Sequence, residues 1–279
     1  MKLLNIGCGN KFVCSDEWTN IDINANHKCV INHNIVKGLP FENESFDVVY
    51  HSNILEHLHK KDAENFINEC FRVLKKGGIL RIAVPDLEEL AKQYLLQLDK
   101  ARKNENNAEY NYDWILIELL DQMTRTYSGG LMGEYLKQEK INNKEYIYNR
   151  IGEDGKKIIE HFENEKKKQE PVTKDKQPKQ TRRIKYLFSR SYWKHKIIQY
   201  LLKEKYQYLK LSEFRSKGEV HQWMYDSYSL QKLLQKAGFT KTEKKSAFTS
   251  GISEWNKYEL DVKNNNILKP DSFFTEAIK

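Results

Sequence analysis

The chain has 279 residues, a formal net charge of +8, and 39% hydrophobic against 31% charged residues, a composition typical of a globular protein that buries a core. No apolar run reaches the roughly 18 residues that a membrane-spanning helix needs. Gly7 interrupts the early apolar stretch too soon for a signal peptide. We therefore expect a cytoplasmic protein. The four cysteines form no Cys-x-x-Cys pair and no zinc-type spacing with histidine, so we expect free, reduced thiols and no metal site.

Strand and helix patterns alternate over residues 1–103. The strand-like runs cover residues 3–6, 18–23, 29–36, 45–52 and 79–84, and the helical ones cover residues 62–75 and 87–103. Gly77 and Gly78 are expected to end the first helix, and Asp86 to cap the second with Glu89 completing a capping box. The alternation predicts an α/β fold, Rossmann-like, with a parallel sheet and helices on both faces.

The pattern changes over residues 104–218, which we interpret as a mostly helical insertion or lid. A helix over residues 112–126 ends at a Ser-Gly-Gly turn. The lysine-rich residues 161–181 predict a loop or disordered linker, because they offer few apolar groups to offset the entropy of ordering. Residues 182–211 predict an amphipathic helix. Residues 219–279 return to the α/β core, with a helix over residues 229–237 and strands over residues 240–248 and 272–277.

The first strand ends in Gly7-Cys8-Gly9, where the backbone can approach a ligand closely. Asp22 follows at the end of the second strand, where a carboxylate can accept both ribose hydroxyls of a nucleoside. The interval from Gly7 to Asp22 is shorter than the usual dinucleotide spacing of about 20 residues. Phe12 stands where a third glycine would be. Both departures disfavour a dinucleotide enzyme, since a pyrophosphate needs the close packing that the third glycine permits.

Four segments together resemble class I S-adenosylmethionine (SAM)-dependent methyltransferases of the methyltransferase-11 type. These are residues 5–9 (NIGCG), 39–50 (LPFENESFDVVY), 55–58 (LEHL) and 69–78 (ECFRVLKKGG). Three more resemble one bacterial branch of that family, associated with surface-polysaccharide gene clusters: residues 81–88 (RIAVPDLE), 218–226 (GEVHQWMYD) and 269–274 (KPDSFF). The likeness covers nearly the whole chain except the lysine-rich stretch.

The resemblance implies SAM as the cofactor and assigns roles to matching positions. Asp22 would hold the ribose hydroxyls, and Asn34 stands where many relatives carry an acid that contacts the adenine amine. The remaining cofactor positions are Gly7, Cys8 and Gly9 under the methionine and ribose, Ile23 and Leu39 at the adenine, and Tyr50, His51 and Ser52 at the end of the fourth strand.

Methyl transfer to an oxygen acceptor needs a base near neutral pH, and histidine is the natural choice. The candidates are His51, His57 and His221. His57 could instead simply pack or cap the following helix, and Asn53 stands where relatives have a second histidine. Trp223 and Tyr225 beside His221 could stack on a sugar or could belong to the core.

Three functions remain open from the sequence. The first is O-methylation of a small-molecule or glycan acceptor, such as a cell-envelope sugar. The second is RNA methylation, which the charge of +8 allows, although we find no RNA-binding motif and regard a nucleic-acid partner as the weaker alternative. The third is a non-catalytic scaffold of the same fold. In that case residues 182–203 would lie on the anionic inner membrane face, a peripheral contact that is also compatible with the first function.

Overall fold

The structure is a computed structural model, which describes residues 1–167 and 190–279. A seven-stranded sheet in the order β3-β2-β1-β4-β5-β9-β6 forms the centre, and β7 and β8 form a separate hairpin. The strands are β1 (Leu3–Ile6), β2 (Trp18–Asp22), β3 (Val30–Asn32), β4 (Phe46–Ser52), β5 (Leu74–Pro85), β6 (Lys241–Lys245), β7 (Val262–Lys263), β8 (Asn266–Ile267) and β9 (Ser272–Ile278).

Helices flank the sheet and make up most of the described part of residues 104–218. They are α1 (Lys60–Val73), α2 (Leu87–Arg102), α3 (Ala108–Thr124), α4 (Gly130–Leu136), α5 (Lys144–Lys167), α6 (Arg190–Leu202), α7 (Lys205–Arg215) and α8 (Ser227–Ala237). The predicted α/β fold class is confirmed. None of the helices in residues 1–167 and 190–279 is long and apolar enough to cross a membrane.

The strands β1 to β5 are parallel, as predicted, but β9 runs antiparallel to both β5 and β6. The sheet is therefore mixed. Residues 246–271 connect β6 to β9 without the helical crossover that a parallel neighbour requires. The strand order reverses between β1 and β4, which creates a crevice at the carboxyl ends of these two strands.

Three local elements differ from the sequence prediction. The strand predicted over residues 29–36 stops at Asn32, because the Asn34 side chain accepts the backbone N–H of Val36 and starts a short 3-10 turn. Helix α1 ends at Val73, so Gly77 and Gly78 lie within β5 instead of ending the helix. Asp86 caps α2 by accepting the N–H of Glu89, as expected. The Glu89 carboxylate accepts from Gln93 and completes no capping box.

The two faces of the sheet are covered differently. The helical face carries α1 and α8 over an apolar cluster that includes Leu4, Val49, Phe66, Leu80 and Leu234. The C-terminal face is covered by residues 246–268, whose helical part is one 3-10 turn at Trp255–Tyr258. Alternate residues of each strand point to opposite faces, so a strand such as β5 contributes side chains to both faces.

Helices α3, α4 and α5 share a core of their own, around the buried Trp114 and Ile147. Helix α5 is kinked at Gly152 and runs to Lys167, so residues 161–167 are helical and the loop predicted there is wrong. The rest of the lysine-rich stretch lies outside the described residues. The boundaries proposed at residues 103 and 218 stay predictions.

The long helix predicted over residues 182–211 is not a single helix. Its first part, up to residue 189, lies outside the described residues, and the remainder forms α6 and α7, separated at Lys203 and Glu204. Helix α6 exposes Trp193, Ile197 and Leu201. These residues recur every four positions and form one apolar side.

Candidate functional site

The turn after β1 requires glycine. Gly7 has a φ of +64°, and a Cβ added to it would collide with the side chain of Ile54. The N–H groups of Gly7 and Cys8 both donate to the carbonyl of Ile21, at 2.8 and 3.3 Å. The turn is therefore held flat against β2, with the Ile54 side chain packed over Gly7.

Asp22 fixes the same turn from the end of β2. Its two carboxylate oxygens accept the N–H groups of Gly9 at 2.8 Å and Asn24 at 2.7 Å. Each oxygen has a second lone pair, so the carboxylate can hold the turn and still accept ribose hydroxyls. Ile23 follows with 57% of its surface exposed, which leaves it free to cover a flat base.

The connections from β1 to β2 and from β2 to β3 contain no helix, which explains the short interval between Gly7 and Asp22. Side-chain amides hold these connections instead: Asn5 donates to the carbonyl of Lys11, and Asn20 to those of Val13 and Cys29. The cofactor would therefore meet a loop at the end of β1 and not a helix N-terminus.

The expectation of four free thiols is wrong for two of them. Cys14 and Cys29 form a disulfide that joins the two helix-free connections. Their separation of 15 residues matches no redox or zinc motif, and only the pairing of β2 with β3 brings them together. Cys8 and Cys70 are free and buried, and burial raises the pKa of Cys8 to about 11.

The side chains of the predicted cofactor residues at the end of β4 point in different directions. Tyr50 points to the C-terminal face, where its hydroxyl donates to Asp261 at 2.7 Å. His51 points to the helical face, packs against Phe66 and is fully buried. Within the described parts of the chain its ring nitrogens have no hydrogen-bond partner, and burial lowers its pKa to about 3. Ser52 is half-buried and donates to Asn53.

Leu39 is 5% exposed and belongs to the apolar core, not to the open crevice. Its backbone is clamped, because its N–H donates to Glu69 at 2.7 Å and its carbonyl accepts from Arg72 at 2.9 Å. Arg72 also donates to the carbonyl of Phe41. The two motifs around residues 39–41 and 69–72 are thus linked structurally, and they fix the loop that follows β3.

The structure brings two of the three predicted histidines together. The rings of His57 and His221 meet edge to face, with centroids 4.8 Å apart. Glu56 completes the cluster, and its Oε1 lies 3.9 Å from Nε2 of His57. One ligand-type atom from each of the three side chains lies within 4.8 Å of the others. We call these residues the Glu56 cluster.

Burial controls the ionisation of the Glu56 cluster. It raises the pKa of Glu56 to about 8, and the nearby Asp271 adds to this shift. It lowers the pKa of His221 to about 3, assisted by His57 and Arg125. The pKa of His57 is also lowered, chiefly by burial. At neutral pH the cluster therefore holds neutral imidazoles beside a largely protonated carboxyl group.

Glu56 was missed as a site residue, although it lies in the motif LEHL. Its adjacency to His57 is the available signal, but a 3-10 turn is needed to aim both side chains at His221. The two aromatic residues near His221 differ in exposure. Tyr225 lies in the core, whereas Trp223 is 41% exposed and has the Lys60 ammonium 4.9 Å from its ring.

Comparison with known proteins agrees with the nucleoside-type site. Residues 4–82 match the family model described as "Methyltransferase domain". A curated protein of Mycolicibacterium smegmatis, described as a probable S-adenosylmethionine-dependent methyltransferase, is 38% identical over 72 residues, which are 25% of this chain and 27% of that protein. The match thus spans about a quarter of that relative's length.

Two solved structures align with the whole chain at low similarity. One is a SAM-dependent methyltransferase of Thermotoga maritima described as a possible histamine N-methyltransferase, with 13% identity, 82% of its own chain covered and a TM-score of 0.38. The other is a SAM-dependent methyltransferase of Archaeoglobus fulgidus, with 13% identity, 86% covered and a TM-score of 0.38. These likenesses carry no argument about the acceptor. The domain match and the curated relative support SAM as the cofactor.

Proposed function

We propose that this protein is a SAM-dependent methyltransferase that methylates an oxygen atom of a small-molecule or glycan acceptor. The observation that carries the proposal is the turn from Gly7 to Gly9, which is tied to Asp22 where the strand order reverses. Sheets of this kind bind ligands in such a crevice. The methyltransferase-domain match over residues 4–82 supports the same site.

The residues of the turn fit SAM in shape and in charge. Gly7 takes a positive φ of +64° that lets the chain turn sharply at the end of β1, and Asp22 supplies a fixed carboxylate for two hydroxyls. When bound, SAM would supply a methyl group on a positively charged sulfur. The chain would then mainly have to align the acceptor and exclude water.

The Glu56 cluster supports an acceptor that carries hydroxyl groups. The unprotonated imidazoles of His57 and His221 can accept a hydrogen bond from an acceptor hydroxyl, which an imidazolium cannot, while burial, which lowers both pKa values, makes them weak bases. Trp223 offers an exposed aromatic surface beside this cluster, because its backbone N–H is bonded to the carbonyl of Glu56 at 3.2 Å. An exposed indole with a neighbouring lysine is suited to the apolar face and hydroxyl edges of a sugar.

Titration of the protein with SAM in a calorimeter tests the cofactor half of the proposal. We expect saturable binding by the wild-type chain and a loss of about tenfold or more in Asp22→Asn, because the charge-assisted bonds to the ribose are weakened. Asp22→Ala should lose more, since it also frees the N–H of Gly9.

Asp16→Asn is the matched control, since it removes an exposed carboxylate from the same connection, and it should leave SAM affinity unchanged. Circular dichroism should show that all variants are folded. Absence of binding by the wild-type chain would refute the proposal, and equal affinity in Asp22→Asn would refute the ribose assignment. Transfer of labelled methyl groups to cell-envelope sugar nucleotides, with RNA in parallel, then tests the acceptor class.

A further inference from the structure

The Glu56 cluster contains a buried carboxyl group whose oxygens have no hydrogen bond of normal geometry. Glu56 is 0% exposed, and in residues 1–167 and 190–279 neither of its carboxylate oxygens meets the distance and angle of a hydrogen bond, although the Asn53 side chain and the residue's own backbone N–H lie close to it. Its backbone, by contrast, is firmly held, because its carbonyl accepts the N–H groups of Gln222 at 2.7 Å and Trp223 at 3.2 Å. The backbone therefore fixes the Glu56 carboxyl group in a buried position where its two oxygens have no hydrogen bond of normal geometry.

Such a group is costly to bury. An unpaired polar atom away from water costs roughly 1–3 kcal/mol, and more when it is charged. Native structures rarely leave such atoms unmatched unless a ligand or an ion completes them. The neighbours of Glu56 are two imidazoles, which are good ligands for transition metals.

We propose that Glu56, His57 and His221 form a binding site for one divalent transition-metal ion, of the zinc, manganese or iron(II) type. Two histidines and one carboxylate supply three ligands and leave coordination positions open, as in catalytic metal centres. A bound ion would provide the positive partner that the Glu56 oxygens lack.

The dimensions of the cluster suit such an ion after small side-chain rotations. Ligand atoms about 2.1 Å from a tetrahedral ion lie about 3.4 Å apart. The measured separations of 3.9 Å between Glu56 and His57, and at most 4.8 Å within the cluster, are somewhat larger. His57 is 24% exposed, so it can rotate inward, and it marks the side from which an ion or an additional ligand would enter.

The backbone and the neighbouring sulfur orient His221. The backbone N–H of His221 donates to the backbone carbonyl of Gln122 at 2.9 Å, which anchors this segment to α3. Its Nδ1 lies 3.4 Å from Sδ of Met224. Fixed ligands of this kind raise metal affinity, because less side-chain freedom is lost on binding.

The surrounding charges do not oppose a cation. Arg125 faces both histidines, but it is paired with Asp121 at 2.8 Å and with Glu219 at 3.2 Å. From the segment before β9, Lys269 and Asp271 act on Glu56 with opposite signs. The local sum of these five groups is negative when Asp271 is ionised and neutral when it is protonated.

An open coordination position would take an oxygen of the acceptor and lower the pKa of a hydroxyl bound there. The ion would then replace the direct contact of the hydroxyl with His57 and His221, because it uses the lone pairs of both imidazoles. This use of the ion rests on the proposed function, whereas binding of the ion does not. A second cluster, Cys14, His27 and Cys29, also brings ligand-type atoms together, but both of its sulfurs are consumed by the disulfide. The test must separate the two clusters.

The full chain is stripped with a chelator, kept free of thiol reductant, and titrated calorimetrically with MnCl2 and with ZnCl2. We expect one equivalent to bind, and we expect Glu56→Gln and His221→Gln each to weaken binding by tenfold or more. His59→Gln, an exposed histidine close in sequence, and His27→Gln are the matched controls and should bind like the wild type.

Loading the wild-type chain with Co²⁺ gives an independent readout that no variant can compromise by misfolding. We expect visible absorption from a nitrogen- and oxygen-ligated ion without a thiolate charge-transfer band. The proposal is overturned if the wild-type chain binds no metal, if Glu56→Gln and His221→Gln fold and bind like the wild type, or if His27→Gln abolishes binding. SAM binding without metal binding would refute the metal site alone, and metal binding without SAM binding would refute the proposed function alone.

Discussion

The two faces of one sheet are stabilised in different ways. On the helical face, strand β5 contributes Leu80 and Ile82, which pack with residues of α1 and α8 in an apolar cluster. On the C-terminal face the same strand contributes Arg81, which is fully buried. Arg81 donates to Asp261 and Glu276, both at 2.7 Å.

The difference shows how a face without helices can be closed. Residues 246–268 are mostly irregular, so they bring backbone carbonyls and the buried carboxylate of Asp261 to the sheet, to which β9 adds that of Glu276. A multidentate cation is needed to satisfy these groups. Arg81 also donates to the carbonyls of Ser246 and Thr249. A substitution in the apolar face removes only part of its stabilisation. Removal of one member of a buried charged network costs more, because it leaves the partner charges uncompensated.

The largest effect should come from removing that cation. We expect Arg81→Met to lower the free energy of unfolding by about 3–5 kcal/mol, because two carboxylates are left buried without compensation. Ile67→Val, on the helical face, should cost only about 0.5–1.5 kcal/mol. Urea denaturation followed by circular dichroism measures both.

Adding Asp261→Asn and Glu276→Gln to Arg81→Met should recover part of the loss, since the uncompensated charge is then removed. If Arg81→Met costs no more than Ile67→Val, the C-terminal face does not depend on its charged network.

A second effect concerns the loops that replace helices near the cofactor. Breaking the disulfide in Cys14→Ser/Cys29→Ser should cost about 3 kcal/mol, the value expected for a closed loop of about 15 residues. Dithiothreitol should lower the thermal midpoint of the wild-type chain and leave that of the double variant unchanged. An equal response of both proteins to the reductant would show that the disulfide does not stabilise the fold.

The smallest effect is a pH dependence on the helical face. Burial lowers the pKa of His51 to about 3, below the value near 6.5 of an unfolded histidine. Its contribution to stability is therefore fully present above pH 6.5 and is lost as the pH falls toward 3. Between pH 7.5 and pH 5 the wild-type chain should lose about 2 kcal/mol that His51→Leu retains. Parallel stability profiles of the two proteins over this range would contradict the assignment.

Local signals predicted the elements well where side-chain pattern and backbone agree. The strands β1, β2 and β4 and the cap of α2 by Asp86 follow from short apolar, β-like runs and a capping side chain. The prediction was wrong at Gly77 and Gly78, because glycine pairs end helices but also allow close strand approach: a Cβ on Gly78 would lie 3.0 Å from the carbonyl oxygen of Asp47.

The part of the candidate site whose residues are close in the sequence could be predicted. The turn from Gly7 to Gly9 and Asp22 are joined by short segments, so their meeting could be expected from the sequence. The direction of a β4 side chain could not be assigned without its partners, and Tyr50 and His51 point to opposite faces. Their cofactor roles, like that of Leu39, stay predictions.

The sequence by itself determined the α/β class, the glycine turn with its carboxylate, and the order of the segments that resemble methyltransferases, because these depend on residues close in the chain. Only the tertiary structure decided which distant groups meet. The 3-10 turn after β4 aims Glu56 and His57 at His221, which the segment before α8 supplies, and strand pairing brings Cys14 to Cys29. Contacts across such separations depend on packing and register, and no local pattern encodes them.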